Sequence, residues 1–188
     1  IDSREPLLLI LGGSQGAEKL NDFVLENLDK LLNEFQILHQ VGSQNFDEYK
    51  KEAEFLTKDW SEIKKSRYLF RPFFSQDLAD ALVASDLVIT RAGAGSLFEL
   101  SAFGKPAIIV PLEQSAGEHQ KENAEIYSKI GAGKMIYEEN LLGDIVIETT
   151  KEILGNPEKY NQMAQSAQSF FRPDAAVIIA KHLLTYIK

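Results

Sequence analysis

Two glycine-rich turns, each directly after a short apolar run, constrain the fold of this chain more than any other feature. The first turn occupies residues 12–16 after the apolar run 7–11, and the second occupies residues 93–96 after the run 87–90. Each turn leads into a segment whose apolar residues recur with helical spacing. A strand, a tight turn and a helix in this order predict a parallel sheet whose ligands bind at the carboxyl ends of its strands.

The rest of the sequence continues this alternation of apolar runs and amphipathic segments. It predicts strands over residues 7–11, 36–41, 68–70, 87–90, 107–110 and 134–137. Helices are predicted over residues 20–31, 45–56, 77–84, 96–103, 118–130, 142–154, 157–169 and 174–187, with a polar connection over 57–67. Gly104 is expected to end one helix, and Pro157 and Asp174 to begin two others. The expected fold class is α/β, a Rossmann-like, doubly wound parallel sheet of about six strands, in one domain over residues 1–188.

Composition excludes several classes of function. The 188 residues include no cysteine, so neither disulfides nor thiolate metal sites can form. A formal net charge of −8 argues against binding to nucleic acid or anionic lipid, and the basic run 64–67 is expected to be solvated surface. No stretch approaches the ~20 apolar residues of a membrane span. Because the chain begins at Ile1 and soon enters an apolar run, we expect it to be a piece of a longer protein.

The first glycine turn is a candidate phosphate loop. Gly12, Gly13 and Gly16 allow the backbone to approach an anion closely, and the amides at the start of the next helix favour a phosphate. The hydroxyl of Ser14 could add a further donor. Neither the G-x-G-x-x-G spacing of dinucleotide folds nor the G-K-[ST] of a P-loop is present, so a plain strand-to-helix turn is the alternative.

The second glycine turn adds a carboxylate to the same arrangement. Gly93, Ala94, Gly95 and Ser96 form the turn, and Glu99 is predicted to lie in the first turn of the helix. Because a carboxylate there would repel a phosphate, Glu99 is expected to accept hydrogen bonds from a ribose diol. The alternative is a helix cap, since Ser96 and Glu99 have the spacing of a capping box.

A polar cluster opens the helix after the fifth predicted strand. His119 and Asn123 are four residues apart and share a face, with Gln120 beside them, so their side chains could bind sugar hydroxyls. Ordinary capping and surface roles are the alternative. His39 and His182 are expected to be structural. No set of His, Asp and Glu has the spacing of a metal site or a catalytic triad, so no metal is expected.

These motifs resemble those of the MurG family, the glycosyltransferases that move N-acetylglucosamine (GlcNAc) from UDP onto lipid I to form lipid II in peptidoglycan synthesis. The resemblance runs from about residue 7 to residue 136. It is carried by G-G-S-Q-G-A-E-K-L-N at 12–21, R-A-G-A-G-S-L-F-E at 91–99, V-P at 110–111 and H-Q-K-E-N-A at 119–124.

The resemblance implies a GT-B enzyme, in which two Rossmann-like domains enclose the active site and this chain is the C-terminal, donor-binding half. It implies UDP-GlcNAc as the donor and no further cofactor. By the resemblance, the backbone near Phe74 would read the uracil edge, Glu99 would hold the ribose, and His119 and Gln120 would bind the GlcNAc hydroxyls. The implied donor set is Ser14, Phe74, Ala94, Gly95, Ser96, Glu99, His119, Gln120 and Asn123, with Gly12, Gly13, Gly16 and Gly93 in the phosphate loops.

The same resemblance places the catalytic base outside this chain. Lipid I and the cytoplasmic face of the bacterial inner membrane would be contacted by a missing N-terminal domain. The piece alone is therefore expected to be soluble and inactive. Three alternatives stay open: the donor-binding subunit of a two-chain UDP-GlcNAc transferase, a UDP-GlcNAc epimerase of GT-B fold, and a non-catalytic nucleotide-binding module.

Overall fold

The computed structural model describes residues 5–13, 16–44, 46–112 and 118–186. These residues form six strands: β1 (Leu7–Leu11), β2 (Gln36–Gln40), β3 (Tyr68–Arg71), β4 (Leu87–Thr90), β5 (Ala107–Ile109) and β6 (Gly133–Met135). All neighbours are parallel, in the order β3-β2-β1-β4-β5-β6. This is a doubly wound order, in which the direction of winding reverses between β1 and β4. The predicted fold class is confirmed.

Helices connect the strands and cover the sheet. They are α1 (Glu18–Glu26), α2 (Leu28–Glu34), α3 (Phe46–Thr57), α4 (Glu62–Lys65), α5 (Leu78–Ala84), α6 (Ala94–Phe103), α7 (His119–Lys129), α8 (Gly143–Leu154), α9 (Pro157–Phe170) and α10 (Ala175–Leu184), with a 3₁₀ helix over Glu138–Asn140. The single helix predicted over 20–31 is wrong, because the side-chain amide of Asn27 donates to the carbonyl oxygen of Phe23 (2.8 Å) at the junction of two helices. The connection predicted over 57–67 contains the short helix α4, capped by the hydroxyl of Ser61.

The side chains of β1 explain why both faces of the sheet are covered. Leu8 and Ile10 belong to a core shared with α1, α2 and α8, whereas Leu7, Leu9 and Leu11 belong to a second core shared with α6, α7 and α9. Successive strand side chains point to opposite faces. A strand without polar residues therefore needs an apolar layer on each side, as central parallel strands have.

Two helix ends follow the signals in the sequence, and a third does not. Gly104 follows α6 with a left-handed φ of 58°, and Pro157 is the first residue of α9, as predicted. Asp174 precedes α10 but makes no side-chain capping bond, so its predicted capping role is wrong. Its φ of −87° and ψ of 0° lie close to helical values, whereas a capping residue is extended.

Two surface features lie outside the cores. In α10, Val177, Ile178, Ile179, Leu183 and Leu184 are each more than half exposed, so this helix adds nothing to either core. The basic run at 64–67 is paired with carboxylates, since all of its cationic side chains lie within 3.0 Å of an Asp or Glu oxygen. None of the helices in the described ranges has the length and hydrophobicity of a membrane-spanning segment.

Candidate functional site

A cavity of about 520 Å³ opens at the carboxyl ends of β1 and β4. Its volume lies within the range of small-ligand pockets, roughly 300–1,000 Å³. It occupies the point where the winding of the sheet reverses, which is where open α/β sheets bind their ligands. Six predicted site residues line it: Gly12, Gly13, Gly16, Gly93, Ser96 and Gln120.

The first glycine loop is shaped by contacts with β2. The N–H of Gly12 donates to the carbonyl oxygen of Gln40 at 3.1 Å. Gly16 has a φ of +94°, and an added Cβ would lie 2.6 Å from the carbonyl oxygen of Val41. A side chain at Gly16 is therefore excluded by the fold itself, before any ligand is considered. Ser14, predicted to approach a diphosphate, lies outside the described residues.

A buried chain of hydrogen bonds lies beneath this loop. The amide nitrogen of Asn21 donates to the carbonyl oxygen of Val41 (2.8 Å), and its Oδ1 lies 3.1 Å from Nε2 of His39. Because Oδ1 can only accept, neutral His39 carries its proton on Nε2, and Nδ1 accepts from the hydroxyl of Tyr68 (3.0 Å). Burial lowers the pKa of His39 to about 3, which keeps the ring neutral. Asn21 and His39 are thus parts of the fold beneath the loop.

The second glycine turn leads into α6 earlier than predicted. Gly93 is the N-cap residue in an extended conformation, and Ser96 is the third residue of the helix. The capping-box alternative is therefore wrong, because Ser96 does not occupy the capping position. Glu99 is the sixth residue of α6, so its predicted place in the first turn is also wrong. Glu99 lies on the same helix face as Ser96, three residues later. Its side chain is solvent-exposed and does not line the cavity. Partial desolvation raises the pKa of its carboxyl group.

Gly95 differs from the glycines of the first loop. It is the second residue of α6, and an added Cβ would meet no atom within 4 Å. Alanine at a position with helical backbone angles stabilises a protein by about 0.4–1 kcal/mol relative to glycine. The described fold therefore gives no reason for a glycine at this position. Open space beside the first amides of a helix suits the close approach of an anion.

The polar cluster at the start of α7 serves partly to hold the surrounding loops. Oε1 of Gln120 accepts a hydrogen bond from the N–H of Leu112 (3.2 Å), and the side-chain amide of Asn123 donates to the carbonyl oxygen of Ala92 (3.0 Å). These bonds fasten α7 to the segments that follow β5 and β4. His119 is exposed, and of the predicted cluster Gln120 alone lines the cavity.

Phe74 and Ala94 lie outside the cavity wall. The side chain of Phe74 is buried in a core, and its N–H donates to Oε1 of Gln40 at 3.0 Å. That N–H is therefore already bonded in this arrangement. Ala94 is the exposed first residue of α6.

Sequence reasoning missed four charged residues in the cavity wall, Glu18, Lys19, Arg91 and Glu138. Nζ of Lys19 donates to one carboxylate oxygen of Glu138 (2.8 Å), and the guanidinium of Arg91 lies 2.5 Å from the other. Desolvation would raise the pKa of Glu138, but the hydrogen bond from Lys19 and the charge of Arg91 lower it overall. Arg91 directly follows β4 and Glu138 follows β6, so the rule that ligands bind at carboxyl ends could have drawn attention to both. Within the described ranges, no group of three or more His, Asp or Glu residues is placed to hold a metal ion.

Comparison with known proteins identifies the family. Residues 7–179 match the family described as Glycosyltransferase family 28 C-terminal domain. The chain belongs to this family.

Relatives of this family 28 domain include longer proteins. The chain is 34% identical over 192 residues to the UDP-N-acetylglucosamine–N-acetylmuramyl-(pentapeptide) pyrophosphoryl-undecaprenol N-acetylglucosamine transferase of Treponema denticola, covering 99% of the chain and 49% of the relative. The crystal structure of MurG from Acinetobacter baumannii superposes with a TM-score of 0.75 at 26% identity, over 98% of this chain and 51% of that chain. The chain thus spans about half the length of the curated relatives it matches.

A third comparison concerns the epimerase alternative. A UDP-GlcNAc 2-epimerase from Neisseria meningitidis, solved bound to UDP-GlcNAc, superposes on this family 28 domain with a TM-score of 0.64 at 18% identity, over 98% of this chain and 46% of that chain. At this identity the likeness shows a shared fold alone. The resemblance to the MurG family is confirmed by the family match, the curated relatives and the MurG structure.

Proposed function

We propose that this family 28 domain is the donor-binding half of an enzyme that transfers GlcNAc from UDP-GlcNAc to lipid I. The observation that carries the proposal is the convergence of two glycine turns on one cavity at the switch point of the sheet. The names of the curated relatives support the choice of donor and acceptor.

Each part of the proposed donor, UDP-GlcNAc, is assigned to residues in or beside the cavity. The first glycine loop and the amides at the start of α6 bind the diphosphate, with Gly95 leaving room for it. Glu99 accepts hydrogen bonds from the ribose hydroxyls beyond Ser96. The carbonyl oxygen of Phe74 reads the uracil edge, since its N–H is bonded to Gln40. His119, Gln120 and Asn123 lie on the sugar side.

The proposed chemistry is a direct displacement at the anomeric carbon. An acceptor hydroxyl forms the new C–O bond as the bond to the diphosphate oxygen breaks, with inversion of configuration. The role of this domain is to orient the donor and to stabilise the leaving UDP with backbone amides and helix dipoles. The base that takes the hydroxyl proton, the lipid I site and the contact with the cytoplasmic membrane face belong to the rest of the protein.

Titration calorimetry of the 188-residue chain tests the donor. We expect binding of UDP-GlcNAc and UDP, and no binding of NADH. Absence of heat with UDP-GlcNAc, or tight binding of NADH, would overturn the proposal. For the full-length protein we expect transfer of labelled GlcNAc to lipid I. Conversion of UDP-GlcNAc to its epimer, or binding without transfer, would favour the alternatives instead.

A further inference from the structure

Gln40, the last residue of β2, makes hydrogen bonds to two different segments at the carboxyl edge of the sheet. Its carbonyl oxygen accepts from the N–H of Gly12 (3.1 Å), and its side-chain Oε1 accepts from the N–H of Phe74 (3.0 Å). Gly12 lines the cavity, whereas Phe74 belongs to the segment that follows β3. One residue therefore sets the position of the segment after β3 relative to the first glycine loop.

Both residues of the side-chain hydrogen bond are buried. Gln40 is 4% exposed and Phe74 is 3% exposed. Since a buried N–H without a partner is costly, the bond constrains where the backbone of Phe74 can lie. Gln40 itself does not line the cavity, so any effect that it has on a ligand must pass through the segments bonded to it.

The segment after β3 is also held at its next residue and by its buried side chain. Oδ1 of Asp77 accepts a hydrogen bond from the N–H of Ser75 (3.0 Å). The side chain of Phe74 belongs to the same core as Ala92 and Leu97, which flank the second glycine turn. Two consecutive N–H groups are thus bonded within the protein, so we expect a base beside this segment to meet carbonyl acceptors.

An acceptor in a fixed position distinguishes between pyrimidine bases. Uracil has a donor, N3–H, between two carbonyl oxygens, whereas cytosine has an acceptor at N3. A site built around one hydrogen bond discriminates against an analogue that cannot make it. We propose that Gln40 is a positioning residue that gives the donor site its preference for uracil, by holding the backbone of Phe74 in place beside the first glycine loop. This assignment rests on the proposed function.

Gln40→Met tests the proposal, because it keeps the length of the side chain and removes the accepting oxygen. Titration calorimetry measures the binding of UDP and of CDP, and the ratio of their dissociation constants is the readout. We expect the wild-type chain to prefer UDP by about tenfold or more, and Gln40→Met to prefer it by less than about threefold. Gln40→Glu, which retains an oxygen at the same place, should keep the wild-type ratio.

Gln36→Met is the matched control on the same strand. Gln36 is the first residue of β2, is 2% exposed, and donates from its side-chain amide to the carbonyl oxygen of Glu5 (3.0 Å). Gln36→Met should lower the thermal transition, as Gln40→Met does, and keep the preference for UDP. If Gln40 served stability alone, its loss would weaken UDP and CDP by the same factor and leave the ratio unchanged.

The outcomes separate this inference from the proposed function. If the wild-type chain binds no UDP, the proposed function fails and the inference fails with it. If the wild-type chain binds UDP and CDP equally, or if Gln40→Met keeps the wild-type ratio, the inference alone is overturned. If Gln40→Met does not fold, Gln40→Asn, whose shorter side chain draws the oxygen away from Phe74, replaces it with the same expected loss of preference.

Discussion

The side-chain amide of Asn21 donates to the carbonyl oxygen of Val41 at 2.8 Å, and this bond supports the first glycine loop from below. The same carbonyl oxygen would lie 2.6 Å from any Cβ added at Gly16. The loop and the buried network beneath it therefore meet at one backbone atom. Asn21 is fully buried and does not line the cavity, so its role is to support the loop.

Asn21→Ala should lower the free energy of unfolding by about 3 kcal/mol. The substitution leaves the carbonyl oxygen of Val41 and the N–H of His39 without partners, and each unpaired buried group costs roughly 1–3 kcal/mol. Urea denaturation measures the loss. Asn33→Ala, at an exposed position, should stay within about 0.5 kcal/mol of wild type. A loss below about 1 kcal/mol for Asn21→Ala would contradict the structural role of the network.

The lowered pKa of His39 predicts a loss of stability in mild acid. In the unfolded chain this ring takes up a proton near its ordinary pKa of 6.5, whereas in the folded protein it stays neutral down to about pH 3. The unfolded state therefore binds more protons below pH 6.5, and stability falls as the pH falls, by up to ~1.4 kcal/mol per pH unit.

Unfolding free energies at pH 7.5, 6 and 5 test this dependence on His39. His39→Gln should show a shallower slope over this range, because the carboxylates are common to both proteins. Equal slopes would show that the ring titrates alike in the folded and unfolded states.

Gly95→Ala should affect protein stability and UDP affinity in opposite directions. Gly95 has a helical conformation and open space around the new methyl group, so the reduced entropy of the unfolded chain should raise stability by about 0.4–1 kcal/mol. The affinity for UDP should fall roughly tenfold, because the methyl group occupies the approach to the first amides of α6. Thermal unfolding and calorimetry give the two values. Unchanged affinity for UDP would place the diphosphate away from this helix end.

Glu99→Ala should weaken UDP binding by about tenfold, through loss of charged hydrogen bonds to the ribose, and leave the thermal transition unchanged. The side chain is exposed, so the fold does not depend on it. Glu125→Ala, exposed on α7, is the matched control and should bind UDP as wild type does. If Glu99→Ala bound UDP with wild-type affinity, Glu99 would be a surface residue without a role in binding.

The fold was predictable from sequence because its signals are local. The uninterrupted apolar run of β1 predicts a strand that is buried on both faces of the sheet. The two glycine turns indicate where β1 and β4 end. The start of α6 was misplaced because Gly93 caps the helix without a side-chain bond, so the boundary left no polar signal. The ion pairs of Glu138 with Lys19 and Arg91 could not be predicted from sequence, since they depend on the order of the strands and on how far the side chains extend.

The ion pair between Lys19 and Glu138 joins positions 119 residues apart, and the cavity beside it is lined by segments that follow β1, β4, β5 and β6. A molecule held there contacts segments that become neighbours only when β1, β4 and the loop after β6 are assembled together. The free energy of binding therefore adds to the free energy needed to open the whole sheet, rather than to that of one loop. Saturating ligand should slow amide hydrogen exchange in the central strands as strongly as in the glycine turns themselves.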